Sequence, residues 1–275
     1  MQQRREELRQ LSIVGGVGVG DRQRSGGTVG RVAAVDSVFL GSTSFCDAGS
    51  EGVVRTAAEV TAGAEGDREK AVRLFRWVQD EIQYAVLYDW THTASETLEL
   101  GRGTCSNKAN LLCAMLRAQR IPAGLGVLVV NGKKYFGPGW FPAFQEKCDD
   151  RSRHFFGAVH LDGRWLRCDP SDDGELSAGT AHFNPPSRRV RFSGTGHADM
   201  QFDPVHVLSS SWPLPDIDRF LERRTAKPEE DFELMDSAVR FARLHGAECA
   251  GPREFEDRFW AWRREGAAGG APGGG

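Results

Sequence analysis

His154-Phe155-Phe156-Gly157-Ala158-Val159-His160-Leu161-Asp162-Gly163-Arg164-Trp165-Leu166-Arg167-Cys168-Asp169 reads as two strands around a two-residue turn. Asp-Gly between apolar and aromatic residues is a strong hairpin signal, because both turn positions take positive φ. With Leu161 opposite Arg164, His160 pairs with Trp165, Ala158 with Arg167 and Phe156 with Asp169. His154 lies two residues before Phe156, so it shares that residue's face. The register makes His154 and Asp169 diagonal neighbours, about 7–8 Å apart at Cα, and their side chains can lean together into a hydrogen bond. A carboxylate accepting from an imidazole nitrogen fixes the ring's tautomer and steadies its protonated form. His160 shares the strand face but sits about 20 Å along it, which suits a structural role.

Upstream, Arg102-Gly103-Thr104 leads into a helix expected over 105–119, with Ala109, Leu112, Cys113 and Leu116 on one stripe and Pro122 beyond its end. Cys105 falls at the mouth of that helix, and Gly103 is expected to allow the sharp entry. Free N–H groups and the partial positive charge there favour a thiolate and can hold a developing oxyanion. Alone, Cys105 reads as a buried helix thiol like Cys113, His154 as an unpartnered strand histidine and Asp169 as a turn residue. Together they are the nucleophile, base and orienter that covalent catalysis requires. Asp172 and Asp173 compete with Asp169 for the third role, but Asp169 has the strand position. Tyr84 and Gln83 are weaker candidates for an oxyanion donor.

The remaining pattern is mixed. Helices are expected over 50–62, 67–82 and 93–100, and a strand over 126–130. Residues 131–153 read as a loop whose Trp140, Phe141 and Phe144 either line an acyl pocket or anchor it to the core. Strands are expected at 190–192, with Arg188-Arg189-Val190-Arg191 as a solvated strand face, and at 204–208. Helices are expected over 216–224, 228–245 and 252–264. The architecture is therefore α+β. The expected divisions are a flexible segment 1–34 with a short helix Arg4 to Leu11, a catalytic domain 35–212, a helical extension 213–265 and a disordered Gly/Ala/Pro-rich tail 266–275. Gly16-Val17-Gly18-Val19-Gly20 lacks the glycine spacing and following helix of a dinucleotide loop.

Composition excludes several classes. Forty per cent hydrophobic residues supply a real core, and a net charge of −3 gives no basic excess for nucleic acid or an anionic membrane. No run of eighteen apolar residues marks a membrane span. The hydrophilic start, without a long apolar centre or a small-residue cleavage site, leads us to expect a cytoplasmic protein. The six cysteines, Cys46, Cys105, Cys113, Cys148, Cys168 and Cys249, contain no Cys-x-x-Cys pair, so neither a zinc site nor a disulfide framework is expected.

Gly101-Arg102-Gly103-Thr104-Cys105, Lys108-Ala109-Asn110-Leu111-Leu112 and Arg120-Ile121-Pro122-Ala123 resemble the nucleophile helix of bacterial transglutaminase-like proteins. His154 through Leu161-Asp162-Gly163-Arg164-Trp165 to Cys168-Asp169-Pro170-Ser171 resembles their histidine and aspartate strands, and 71–84 resembles the helix before the core. The resemblance spans about residues 38–172 with the order Cys, His, Asp. It implies a papain-like fold, a nucleophile helix packed on an antiparallel sheet. It also implies attack on an amide or thioester carbonyl, a thioester on Cys105, and transfer of the acyl group to an amine or to water. The expected partner is a small-molecule, peptide or carrier-bound acyl substrate, with no metal or cofactor. An arylamine N-acetyltransferase-like enzyme shares the residue order, but Thr104-Cys105-Ser106-Asn107-Lys108 departs from its Arg-Cys-Phe-Glu-x-Asn context. A non-catalytic module of the same fold is the remaining alternative, and the three filled positions count against it.

Overall fold

A computed structural model describes residues 37–136, 140–223 and 227–268. The expected lead-in 1–34, with its short helix and Gly16–Gly20 run, lies outside the described residues, as do 269–275 of the expected tail. Residues 266–268 instead close the last helix, Pro252–Ala268.

Helices α1 (Glu51–Val60) and α2 (Gly66–Glu81) lead to strand β1 (Gln83–Tyr84), helix α3 (Ala94–Leu100) and strand β2 (Arg102–Gly103). Next come helix α4 (Cys105–Ala118), strand β3 (Ala123–Val130) and two short helices, α5 (Gly132–Tyr135) and α6 (Pro142–Lys147). Strands β4 (Ser152–Leu161) and β5 (Arg164–Cys168) form the hairpin, and α7 (Gly174–Thr180) follows. Strand β6 (Val207–Leu214) precedes α8 (Asp218–Leu221), α9 (Glu229–His245) and α10 (Pro252–Ala268).

The main sheet is antiparallel, in the order β5-β4-β3-β6, and α4 packs across it. This is the expected α+β, papain-like arrangement, with the helix that begins at Cys105 packed on an antiparallel sheet. The hairpin register is the one the spacing predicts, with Leu161 opposite Arg164, His160 opposite Trp165 and Ala158 opposite Arg167. Both turn residues take positive φ, 51° at Asp162 and 78° at Gly163.

Helix α4 is buried on every side from Ser106 to Arg117, so its polar side chains must find partners inside the protein. Asn107 donates to Trp90 O, Asn110 to Phe45 O, and Lys108 to Gln79 O and Ile82 O. Arg117 donates to Ala123 O, Gly41 O and Pro215 O. Burial pushes the Lys108 ammonium down to about 8, against the pull of Asp173 and Asp172. The helix thus ties together the chain segments that surround it.

Several expectations need correction. Residues 131–153 form two helices and the start of β4, because Asn131 accepts from Lys134 N and Pro142 opens α6. Residues 190–192 are not a strand. Val190 and Phe192 are buried, but the Val190 carbonyl accepts from the Gln79 side chain rather than from a ladder. Arg189 pairs with Asp80 instead of lining a solvated strand. The expected strand 204–208 begins only at Val207, after a 3-10 turn at Pro204–His206, and runs past the expected boundary at 212 to Leu214. Helix α7, which the sequence pattern did not show, is capped by Asp173.

Two hydrophobic clusters result. The larger joins α1, α2 and α4 to the sheet. The second joins Trp140, Phe141 and Phe144 to Leu176 and to apolar faces of α9 and α10. Asp173 links α9 to the rest, accepting from Leu176 N at 2.8 Å, from Tyr84 N at 2.9 Å and from Arg243 of α9. Burial would raise the Asp173 carboxyl, but the Arg243 guanidinium and the two backbone N–H groups hold it below its ordinary value. An acid lowered on folding contributes stability that is present above its unfolded value and lost as pH falls through its folded value. Asp173→Ala is expected to cost about 3–5 kcal/mol in urea unfolding at neutral pH, since it strands a buried guanidinium. The difference from wild type should shrink as the pH drops below about 4.

Candidate active site

Cys105 is the first residue of α4 and is partly exposed, whereas the following twelve residues are buried. Thr104 caps the helix through a reciprocal pair with Asn107: Thr104 N donates to Asn107 Oδ1 at 3.1 Å, and Asn107 N to Thr104 Oγ1 at 3.5 Å. That box occupies the third helical amide. The amides of Cys105 and Ser106 precede any i−4 acceptor in the helix and stay available. Gly103 has a different role from the expected one. The left-handed residue is Gly101 (φ 65°), which ends α3. Gly103 is extended, and a Cβ there would stand 2.7 Å from Asn107 Cβ, so it is needed for close approach.

His154, near the start of β4, opposes Leu128 of β3. Its Nε2 lies 2.6 Å from Asp169 Oδ2, and both residues are buried. The diagonal contact read from the register is present. Asp169 Oδ1 accepts from Ser171 N at 3.1 Å and Ser171 Oγ at 2.6 Å, and Asp169 N donates to Ala198 O. Both carboxylate oxygens are engaged, which fixes the acid's orientation. Cys105 and His154 line the same cavity, and the thiol acts on the protonation of the imidazole. With Nε2 held by Asp169, Nδ1 is the nitrogen left for sulfur. Cys105, His154 and Asp169 are therefore brought together. Burial would lower His154, but the Asp169 carboxylate and Cys105 more than offset it and hold the ring well above its ordinary value. Rings of Tyr135, Phe136 and Phe202 stand about the imidazole at 5.9, 6.1 and 5.9 Å.

The site opens into a cavity of about 450 Å³ lined by Cys105 and His154. Trp140 and Phe144 both line it and pack in the second cluster, whereas Phe141 is buried against Phe255 and Phe259 and anchors α6. The aromatic residues of 131–153 thus divide between the two expected roles. Tyr84 lines the cavity, and its hydroxyl is held well above its ordinary value by burial and by the charges of Cys105 and Asp172. Gln83 is exposed. Burial pushes Cys148, a second thiol on the cavity wall, up to about 11. His160 packs edge-on to Trp165 at 5.3 Å, and it is absent from this cavity's lining. All six cysteines are free. No metal-holding group of His, Cys, Asp or Glu occurs among the described residues, and no helix there is long and apolar enough to cross a membrane.

The sequence reading missed Ser171 as the partner that locks Asp169, although Asp-x-Ser is a recognisable turn signal. Asp172 and Asp173, weighed only as rivals of Asp169, take other places: Asp172 lines the cavity, and Asp173 caps α7 and accepts from Arg243.

Residues 54–170 match the family model described as Transglutaminase-like superfamily, a span that includes Cys105, His154 and Asp169. Similar solved structures include one described as a "Putative Cysteine Protease" from Cytophaga hutchinsonii, at 19% identity and TM-score 0.38, over 48% of this chain and 40% of that one. Another is described as a "Putative Protease" from Parabacteroides distasonis, at 16% identity and TM-score 0.33, over 61% and 30%. A third is described as a TGase, at 13% identity and TM-score 0.27, over 62% and 37%. The chain spans less than half the length of each. No curated protein matches it.

A base raised on folding contributes stability that is complete below its unfolded value, about 6.5 for histidine, and lost as pH rises through its folded value. The stability advantage of wild type over Asp169→Asn, measured by urea unfolding from about pH 5.5 upward, should therefore be largest at the acid end and fade as pH rises.

Proposed function

From the membership of residues 54–170 in the transglutaminase-like superfamily, we propose that this chain is a cysteine-dependent acyl-transfer enzyme working through a thioester on Cys105. The observation that carries the reading is the 2.6 Å hydrogen bond between His154 and Asp169 beside a cavity that Cys105 and His154 both line.

In this mechanism His154 takes the thiol proton and the sulfur attacks the carbonyl carbon of an amide or thioester. The developing oxyanion meets the free amides at the mouth of α4, with the Tyr84 hydroxyl close by as a further donor. His154 then protonates the leaving amine or thiol. Asp169 keeps the imidazolium aligned throughout, and Ser171 keeps Asp169 aligned. Water as acceptor makes the enzyme an amidase or peptidase. An amine makes it an amide-forming acyltransferase.

The cavity supports an apolar acyl group. Its walls include Phe136, Trp140, Phe144, Phe232, Met235 and Val239, the last three from α9, beyond the family match. Apolar walls with a few convergent polar groups are the usual form of a small-molecule site.

Incubation with aromatic and medium-chain acyl thioesters is expected to leave a covalent acyl adduct on Cys105 by intact mass, absent in Cys105→Ala. Iodoacetamide at neutral pH should alkylate wild type at Cys105 first and slow markedly in His154→Ala. His154→Ala and Asp169→Ala should each lower the rate of acyl transfer by about 10³-fold or more. Labelling of Cys105→Ala as fast as wild type would sink the reading.

A further inference from the structure

The wall of the cavity that Cys105 lines is not uniform. One part is apolar, formed by Phe136, Trp140 and Phe144 with Phe232, Met235 and Val239 of α9. Another carries five cations, Lys147, Arg151, Arg153, Arg223 and Lys227, against two carboxyl groups, Asp149 and Asp172. The whole chain has a net charge of −3, so this concentration of positive charge runs against its average.

Only some of these charges are spent inside the protein. Asp231 takes Lys147 at 2.7 Å and Asp149 takes Lys227 at 3.2 Å, whereas no carboxylate among the described residues pairs with Arg151, Arg153 or Arg223. Burial and two acidic neighbours push Asp172 up to about 7, so near neutrality its charge is only partly present. The three arginines are exposed, which places them at the rim of the cavity.

Two of the three are gathered at one ring. The Arg153 guanidinium stands over Phe220 at 5.5 Å, and Phe220 meets Phe155 of β4 with ring centroids 5.5 Å apart. Arg223 follows Phe220 by less than a helical turn, its N–H donating to Phe220 O. Arg151 lies just ahead of β4. His154 stands between Arg153 and Phe155 in the chain, and all three line the cavity, so the cationic rim adjoins the site. A guanidinium is a planar fork of donors that matches the oxygens of a carboxylate or a phosphate.

We propose that the acyl donor carries an anionic group, a carboxylate or a phosphate, on its departing half, and that Arg151, Arg153 and Arg223 hold this group at the rim while the acyl half enters the apolar part of the cavity. This rests on the thioester reading above and adds a substrate class to it. The bond that forms on Cys105 and the bond that breaks are those already described. The arginines attract the donor and fix its departing half, which limits the orientations in which its carbonyl approaches the sulfur. A neutral donor with the same acyl chain gains neither effect.

The test compares three hexanoyl thioesters that share one acyl chain: those of N-acetylcysteamine, which is neutral, of 3-mercaptopropionate, a carboxylate, and of 4′-phosphopantetheine, a phosphate. Acylation of Cys105 is followed by intact mass in wild type and in a variant combining Arg151→Gln, Arg153→Gln and Arg223→Gln. For at least one anionic donor, the ratio of its rate to the neutral donor's is expected to fall by about tenfold or more in the variant, and the donor with the larger fall identifies the group. In wild type alone the same ratio should drop severalfold as salt is raised to about 0.5 M. A merely structural role for the arginines slows all three donors alike, and unchanged ratios would overturn the proposal. Should no donor acylate wild type, the thioester reading has failed, and the rim is tested by alkylation of Cys105 with iodoacetate, an anion, against neutral iodoacetamide. The ratio of the two rates should then fall by about tenfold in the variant, and equal ratios in the two proteins would overturn the proposal.

Discussion

The constraint on which the rest of the molecule depends is the burial of α4. A helix enclosed from Ser106 to Arg117 must pair its polar side chains inside the protein, and Asn107, Lys108, Asn110 and Arg117 each donate to backbone carbonyls, while Asn110 Oδ1 is left without a partner. Their partners are backbone carbonyls of Trp90, Phe45, Gln79, Ile82 and Ala123. Each buried acceptor left unsatisfied costs about 1–3 kcal/mol, so a slide or rotation of the helix would forfeit several such contacts together. The same contacts fix where the helix begins. Cys105 is held at that end, with its amide and that of Ser106 free, by interactions made deeper in the helix.

The chemistry and the selectivity of this site draw on different parts of the chain. Helix α4 and the β4–β5 hairpin lie within the family match at 54–170. The cavity that an acyl group would enter is walled partly by α6 and by Phe232, Met235 and Val239 of α9. Those walls are held from behind by α10, where Phe255 meets Trp140 and Phe141, and Phe259 meets Phe141. The Arg102–Asp236 pair at 2.8 Å and the Arg243–Asp173 pair tie α9 to the segments on either side of Cys105 and Asp169. A substitution in α9 or α10 can therefore reshape the pocket without touching Cys105, and one in α4 moves Cys105 itself.

The parts legible in the sequence were those governed by short-range rules. Asp162-Gly163 sets a two-residue turn, the turn sets the register, and the register brings His154 to Asp169. The mouth of α4 is marked by Thr104 and by the stripe from Ala109 to Leu116. Where long-range packing decides, the pattern was silent. Residues 131–153 offer too few periodic positions to show α5, whose Tyr135 stacks on Phe202, and α6, whose cap Phe141 packs on Phe255 and Phe259 of α10. Val190 and Phe192 have strand-like side chains, but β6 already occupies the free edge of β3, and the Val190 carbonyl is taken by Gln79. Alternation of apolar residues reports burial and cannot report which neighbour completes a ladder.

The run Asp169-Pro170-Ser171-Asp172-Asp173 shows how environment assigns different work to one side-chain type. Asp169 meets an imidazole and two donors from Ser171, so it acts as a fixed acceptor. Asp173 meets two backbone N–H groups and a guanidinium, and its charge is spent on capping α7 and holding α9. Asp172, between them, meets neither a donor nor a cation within bonding distance among the described residues, and two like charges flank it. The chain leaves the hairpin by way of Pro170, and the two neighbouring acids are then fixed by contacts on opposite sides. Asp172 is left lining the cavity that Cys105 also lines. A carboxyl held in that way, pushed up to about 7 by burial and by its two acidic neighbours, is poised to exchange a proton near neutrality.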